Sequence, residues 1–253
     1  MTINYQGINL YYEKYGASKK RVVILPGWGE TRTTFKEIIN ILKVDYTVYI
    51  MDYPGFLNTK FPNYDLTIYD YALLIKAFLE EEKIDNPYII AHSFGGRIAI
   101  ILASKYKVKI RKLVLIDSAG IKPKMTLKRW LRLKIYHSLQ NFANFLPEKA
   151  SNSFKSYLFK KFSSSDYLAL DLKMQTTFKN IVNEDLTKYL SLIKIPTLLL
   201  WGANDIDTPL KDGKIMHKKI TNSELVIFPN CTHYCYLENT YVIIRIILYF
   251  FDD

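Results

Sequence analysis

Ser93 stands in the pentapeptide Ala91-His92-Ser93-Phe94-Gly95, between an apolar run ending at Ala91 and a helix-compatible run that begins with a second glycine, Gly96. A serine hydroxyl is a weak nucleophile until a neighbouring base takes its proton. At a sharp strand-to-helix bend it is presented clear of the sheet, provided the residues two away are small. The G-x-S-x-G elbow meets that need, and here alanine replaces the first glycine. The same position also suits an N-cap serine, so the pentapeptide alone leaves both readings open.

A base and an acid must come from elsewhere. Of four histidines, His137 and His217 fall in helical patterns, and His92 adjoins the serine, a poor geometry for a base. His233 follows an apolar strand and precedes the last helix, so it is the candidate base, with a structural histidine as the alternative. Asp117, Asp205 and Asp207 each follow an apolar strand. Ser93, Asp205 and His233 obey the serine, acid, histidine chain order of this kind of elbow. Cys231 and Cys235 flank His233, but a metal there would need a fourth ligand from a distant segment. Buried thiols are the simpler reading, and neither metal nor cofactor is expected.

The elements that must position these residues follow a regular rhythm. Strands are expected at 21–25, 46–52, 87–92, 110–117, 195–202 and 224–229. Helices are expected at 31–43, 67–82 and 210–220, after residue 93 and at the C-terminus. Strand, helix, strand in succession implies crossovers and a parallel sheet. Ligands bind beyond the carboxyl ends of such strands, and Ser93, the aspartates and His233 all fall there. Residues 7–16 suggest antiparallel strands at the start. Between about 121 and 189 only helical patterns occur. A structureless loop of that length is uncommon, so the expected organisation is a core of 1–120 and 190–253 with a helical cap at 121–189.

The stretches LPGWGE (25–30), MDYPGF (51–56), AHSFGG (91–96), LLLWGANDIDTP (198–209) and FPNCTHY (228–234) together resemble the α/β-hydrolase superfamily. The first two are similar to the pimeloyl-[acyl-carrier protein] methyl ester esterase group. SFGGRIAI also resembles menaquinone-pathway and carbon–carbon bond hydrolases. The resemblance implies an α/β fold: a mostly parallel twisted sheet flanked by helices, with an inserted helical cap. It implies Ser93 as nucleophile, His233 as base and, from the G-x-x-D pattern at 202–205, Asp205 as the orienting acid. Asp117 and Asp207 are the alternatives for that role. It also implies an oxyanion hole from the backbone N–H groups of Phe94 and Trp28. Pro26 stands where the family usually has histidine, which leaves the Trp28 donor but alters how its loop is braced. Serine at 93 disfavours the aspartate-nucleophile dehalogenases and epoxide hydrolases, and the H-G-G-G loop of many lipases is absent.

Composition sets the remaining bounds. At 49% hydrophobic and 23% charged residues, the chain is globular rather than disordered. No run of 18 apolar residues occurs, and the N-terminus lacks a signal peptide's apolar core. A cytoplasmic protein with no transmembrane segment is the expectation. The net charge is +11, and residues 121–194 carry fourteen Lys/Arg against five Asp/Glu. That excess favours anionic or carrier-bound acyl compounds, although a lysine-rich composition alone produces the same pattern. No zinc-finger spacing or aromatic RNA-binding motif points to nucleic acid. The expected partner is a small acyl substrate, most simply a carboxylic ester. An acyltransferase with the same residues, or a binding protein with little turnover, remains as alternative. Nothing in the sequence fixes the oligomeric state.

Overall fold

The computed structural model describes residues 1–122, 127–145, 147–162 and 171–253. Eight strands form one sheet: β1 (Thr2–Tyr5), β2 (Ile8–Tyr15), β3 (Arg21–Leu25), β4 (Thr47–Asp52), β5 (Tyr88–His92), β6 (Lys112–Ile116), β7 (Thr197–Gly202) and β8 (Ser223–Phe228). Their order is β1-β2-β4-β3-β5-β6-β7-β8. β1, β2 and β4 pair antiparallel, and every other neighbouring pair is parallel. Burial follows this topology. β5 is buried along its whole length, as a strand covered on both faces must be, whereas β2 alternates buried with more exposed residues along its first half. This is the α/β-hydrolase architecture that the sequence motifs resemble.

Among the described residues, the helices that accompany the sheet are α1 (Lys36–Leu42), α2 (Ile68–Glu81) and α3 (Phe94–Ser104), with four more after the insertion. α2 begins with a reciprocal capping box, in which Thr67 Oγ1 accepts from the Asp70 N–H and Asp70 accepts from the Thr67 N–H. Two of the orphan donors at the helix start are thereby satisfied. Its apolar face, including Tyr71, Ile75 and Phe78, is buried. α1 starts five residues later than expected. Residues 31–35 instead form turns, because Thr31 and Thr34 bond locally: the Thr33 N–H donates to Thr31 Oγ1, and Thr34 Oγ1 donates to the Thr31 carbonyl. Such side-chain bonds compete with the helical ladder.

The chain divides into two compact units, Met1–Lys122 with Glu184–Asp253, and Pro123–Asn183. Within the second, α4 (Leu127–Ala143) packs on α5 (Glu148–Phe162), and α6 (Leu172–Asn183) follows. Six aromatics of this segment stand out in the sequence as candidates for a pocket wall or for the segment's own core. Of these, Phe142, Phe145 and Tyr157 are exposed, which takes them out of the segment's core; Tyr136 and Phe154 are half-buried. The side chain of Trp130 lies outside the described residues. Back in the first unit, α7 (Thr187–Leu190), α8 (Leu210–Lys219), α9 (Cys235–Glu238) and α10 (Thr240–Asp252) complete the chain.

Sheet order brings the chemistry together. β3 has β4 on one side and β5 on the other, so successive connections leave in opposite directions at the β3–β5 boundary. The loop after β3 and the bend after β5 therefore meet in the crevice where α/β sheets bind ligands. Leu25 and Ala91 are register partners, which sets Pro26–Gly27 beside His92–Ser93.

Candidate active site

Ser93 occupies the bend between β5 and α3 with φ 47° and ψ −111°. A non-glycine residue rarely adopts this conformation, and it persists only where surrounding structure enforces it. Here the Ser93 N–H donates to the Ile116 carbonyl at 3.1 Å, and the Ser93 carbonyl accepts from the Ala119 N–H at 3.0 Å. The two following glycines leave room for α3 behind the bend. A Cβ on Gly95 would sit 2.0 Å from the Leu25 carbonyl oxygen, and one on Gly96 would sit 1.9 Å from Ser118 Oγ. No side-chain cap hydrogen bond from Ser93 to the helix exists. Instead Ser93 Oγ lies 3.0 Å from His233 Nε2.

His233 sits in the loop between β8 and α9, and its Nδ1 is 2.8 Å from Asp205 Oδ2. Asp205 follows β7, and its carboxylate is fixed from the same turn. Oδ1 accepts from the Asp207 and Thr208 N–H groups at 2.8 and 2.9 Å, and Thr208 Oγ1 lies 2.6 Å from Oδ2. Burial works to raise the Asp205 carboxyl, but bonds from His233 and Thr208 outweigh it and hold the group below its ordinary value. Burial works to lower His233, yet the Asp205 hydrogen bond and charge raise it above its ordinary value, with Asp117 and Asp207 adding to the effect. A carboxylate on Nδ1 places the ring proton there and leaves the Nε2 lone pair facing the Ser93 hydroxyl.

The alternative acids are placed differently. Asp117 is fully buried after β6, but its carboxylate accepts from the Gly202 and Cys235 N–H groups, at 2.8 and 3.2 Å. Burial pushes it up to about 6, opposed by hydrogen bonds from the Cys235 side chain and the Gly202 amide. Asp207 is exposed; its N–H donates to Asp205 Oδ1, and its carboxylate lies within 4.8 Å of both the Asp205 carboxylate and the His233 ring. Cys231 and Cys235 are buried and free, with burial pushing both thiols up. Cys231 Sγ accepts from Asn239 Nδ2. His217 lies on the surface against Ser223 Oγ, away from the other candidates, and the side chain of His137 lies outside the described residues.

Phe94 provides the first amide of α3, a group that by its position has no intrahelical acceptor. Its ring is buried and meets Trp28 edge to face at a centroid separation of 5.0 Å; Tyr53 and Tyr71 pack on it similarly. Three residues in this neighbourhood carry polar contacts that motif reading passes over. Thr208 holds Asp205. Glu30 accepts from the Gly27 N–H, the first residue of the turn that contains Trp28. His92, set aside as a base, is fully buried with Nε2 2.8 Å from the His233 carbonyl oxygen.

A family model described as alpha/beta hydrolase fold matches residues 20–240. Among curated proteins, the pimeloyl-[acyl-carrier protein] methyl ester esterase of Wigglesworthia glossinidia brevipalpis is 27% identical over 95% of this chain and 96% of its own. A 2-hydroxy-6-oxononadienedioate/2-hydroxy-6-oxononatrienedioate hydrolase of Pseudomonas putida is 24% identical over 96% of this chain and 92% of its own. Among solved structures, the enol-lactonase from Burkholderia xenovorans LB400 superposes with a TM-score of 0.77 over the whole of both chains at 16% identity, a likeness of fold.

Proposed function

The chain belongs to the alpha/beta hydrolase fold family, and on that footing we propose that it is a serine hydrolase acting through an acyl-enzyme, with a small carboxylic ester as substrate. The observation that carries this reading is the contact path from Ser93 Oγ to His233 Nε2 at 3.0 Å and from His233 Nδ1 to Asp205 Oδ2 at 2.8 Å. In the proposed reaction His233 Nε2 takes the Ser93 proton as Oγ attacks the ester carbonyl. Asp205 holds the tautomer and stabilises the imidazolium that forms. The Phe94 and Trp28 backbone N–H groups receive the developing oxyanion. Collapse expels the alcohol, which takes the proton from His233. Water, activated by the same imidazole, then releases the acid and restores Ser93.

The esterase among the relatives acts, by its name, on a methyl ester held on an acyl-carrier protein. The charge of +11 is compatible with an anionic or carrier-bound acyl group here. The test is hydrolysis of p-nitrophenyl esters from acetate to laurate by the wild type and by Ser93→Ala. We expect wild-type turnover with a defined chain-length optimum and a loss in kcat of roughly 10⁴-fold or more in the variant. Equal rates in the two proteins would sink the proposal.

A further inference from the structure

Glu30 and His92 take no part in the proton path from Ser93 to Asp205, yet they form a second buried acid–imidazole pair beside it. Building on the serine-hydrolase reading, we propose that this pair is a positioning device that ties the oxyanion loop, the nucleophile bend and the base loop to a single carboxylate. Glu30 Oε1 lies 2.8 Å from His92 Nδ1, with the two side chains 7% and 0% exposed. The same oxygen accepts from the Tyr236 hydroxyl at 3.1 Å, and Oε2 accepts from the Gly27 N–H. On its other side, His92 Nε2 meets the carbonyl oxygen of His233.

A carbonyl oxygen only accepts, so His92 Nε2 carries a proton. Burial alone would raise the Glu30 carboxyl. The charge and hydrogen bond of His92, with the bonds from Gly27 and Tyr236, outweigh it and hold the group below its ordinary value.

Each end of the pair touches a segment that the proposed reaction needs. Gly27 precedes Trp28, the proposed oxyanion donor. His92 precedes Ser93. The carbonyl that His92 holds belongs to His233 itself, and Tyr236 lies three residues beyond it. Pro26 brings no polar side chain to brace the oxyanion loop, so Glu30 supplies the brace from within its own turn. The fit is close: a Cβ on Gly27 would sit 2.8 Å from the Glu30 carboxylate and 3.0 Å from His92 Nδ1. A buried acid–imidazole pair is weak evidence of stabilisation, because well-packed apolar groups often do as well. Fixing relative position is the use this arrangement suits.

Glu30→Gln tests the proposal. It keeps the shape and one acceptor but sets an NH₂ against donors at Gly27 or at His92 and Tyr236. His92→Gln is the second variant; it retains a donor near the His233 carbonyl and loses the link to Glu30. Both are compared with wild type for kcat and KM on p-nitrophenyl butyrate, for the rate of Ser93 labelling by a fluorophosphonate, and for Tm. We expect kcat and labelling rate to fall roughly 10–100-fold, as small misplacements of reacting groups do, with KM within about twofold. A merely structural role would lower Tm and leave both rates of the folded protein unchanged, and that result overturns the proposal while the hydrolase reading stands. If Glu30→Gln does not fold, His92→Gln decides by the same readouts. Wild-type protein that neither hydrolyses esters nor labels at Ser93 overturns the hydrolase reading, and the role of the pair with it.

Discussion

At the scale of single residues, the balance between burial and charge at His233 has a kinetic consequence. In its proposed role as base it must be neutral, and Asp205 outweighs burial to raise it above 6.5. The acid limb of kcat/KM, which reports the free enzyme, is therefore expected above pH 6.5. Replacing Asp205 with Asn removes the charge and leaves one amide oxygen and an NH₂ in place of two carboxylate acceptors, so burial dominates and the limb moves to lower pH. The rate at the optimum falls as well, by roughly 10⁴-fold if the wrong tautomer is then held. A pH–rate profile of wild type and Asp205→Asn measures both effects. A limb that stays in place would show that Asp205 does not set the state of His233. Much of this was legible in the sequence, since Ser93, Asp205 and His233 each follow an apolar strand in the order that such folds use. Glu30 and His92 were not legible as partners. They are 62 positions apart in sequence, and only the pairing of β3 with β5 brings them to 2.8 Å.

At the scale of elements, the site depends on backbones that approach closely where strands end. Gly202 closes β7, and a Cβ there would lie 2.1 Å from the Thr232 carbonyl oxygen and 2.6 Å from that of Cys231. Both obstacles are main chain of the loop that carries His233, so Gly202→Ala must push that loop away from the Asp205 turn. The expected cost is about 1–3 kcal/mol of stability, typical of overpacking, together with a lower kcat in the protein that stays folded. Gly7 is the control, because its added Cβ meets nothing within 4 Å although its φ is +82°. Gly7→Ala should cost about 1 kcal/mol in backbone strain and leave kcat unchanged. Denaturant titration with active-site-normalised kcat separates the two cases, and equal kcat in both variants would remove Gly202 from the account. Strand positions were readable because buried parallel strands are nearly unbroken apolar runs. The start of α1 was not, because the bonds from Thr31 and Thr34 that replace its first turn depend on geometry rather than on residue type.

At the scale of the whole molecule, charge is the property that no single contact explains. The chain carries +11, and the excess is concentrated in residues 121–194. No helix among the described residues is long and apolar enough to cross a membrane. A field of this sign raises the local concentration of anionic substrates and speeds their encounter. It fades as the Debye length shrinks, from about 10 Å at 0.1 M salt to about 3 Å at 1 M. A pair of p-nitrophenyl esters of equal length, one ending in a carboxylate and one in a methyl group, isolates the effect. For the anionic ester, kcat/KM is expected to exceed that of the neutral one at low salt and to fall several-fold towards 1 M salt, through KM rather than kcat. The neutral ester should change little over the same range. If both esters respond alike, the lysines reflect composition alone and the acyl group is selected by shape. If only the anionic ester responds, its carboxylate stands in for the natural substrate's charge, which narrows the search to acids and carrier-bound acyl groups.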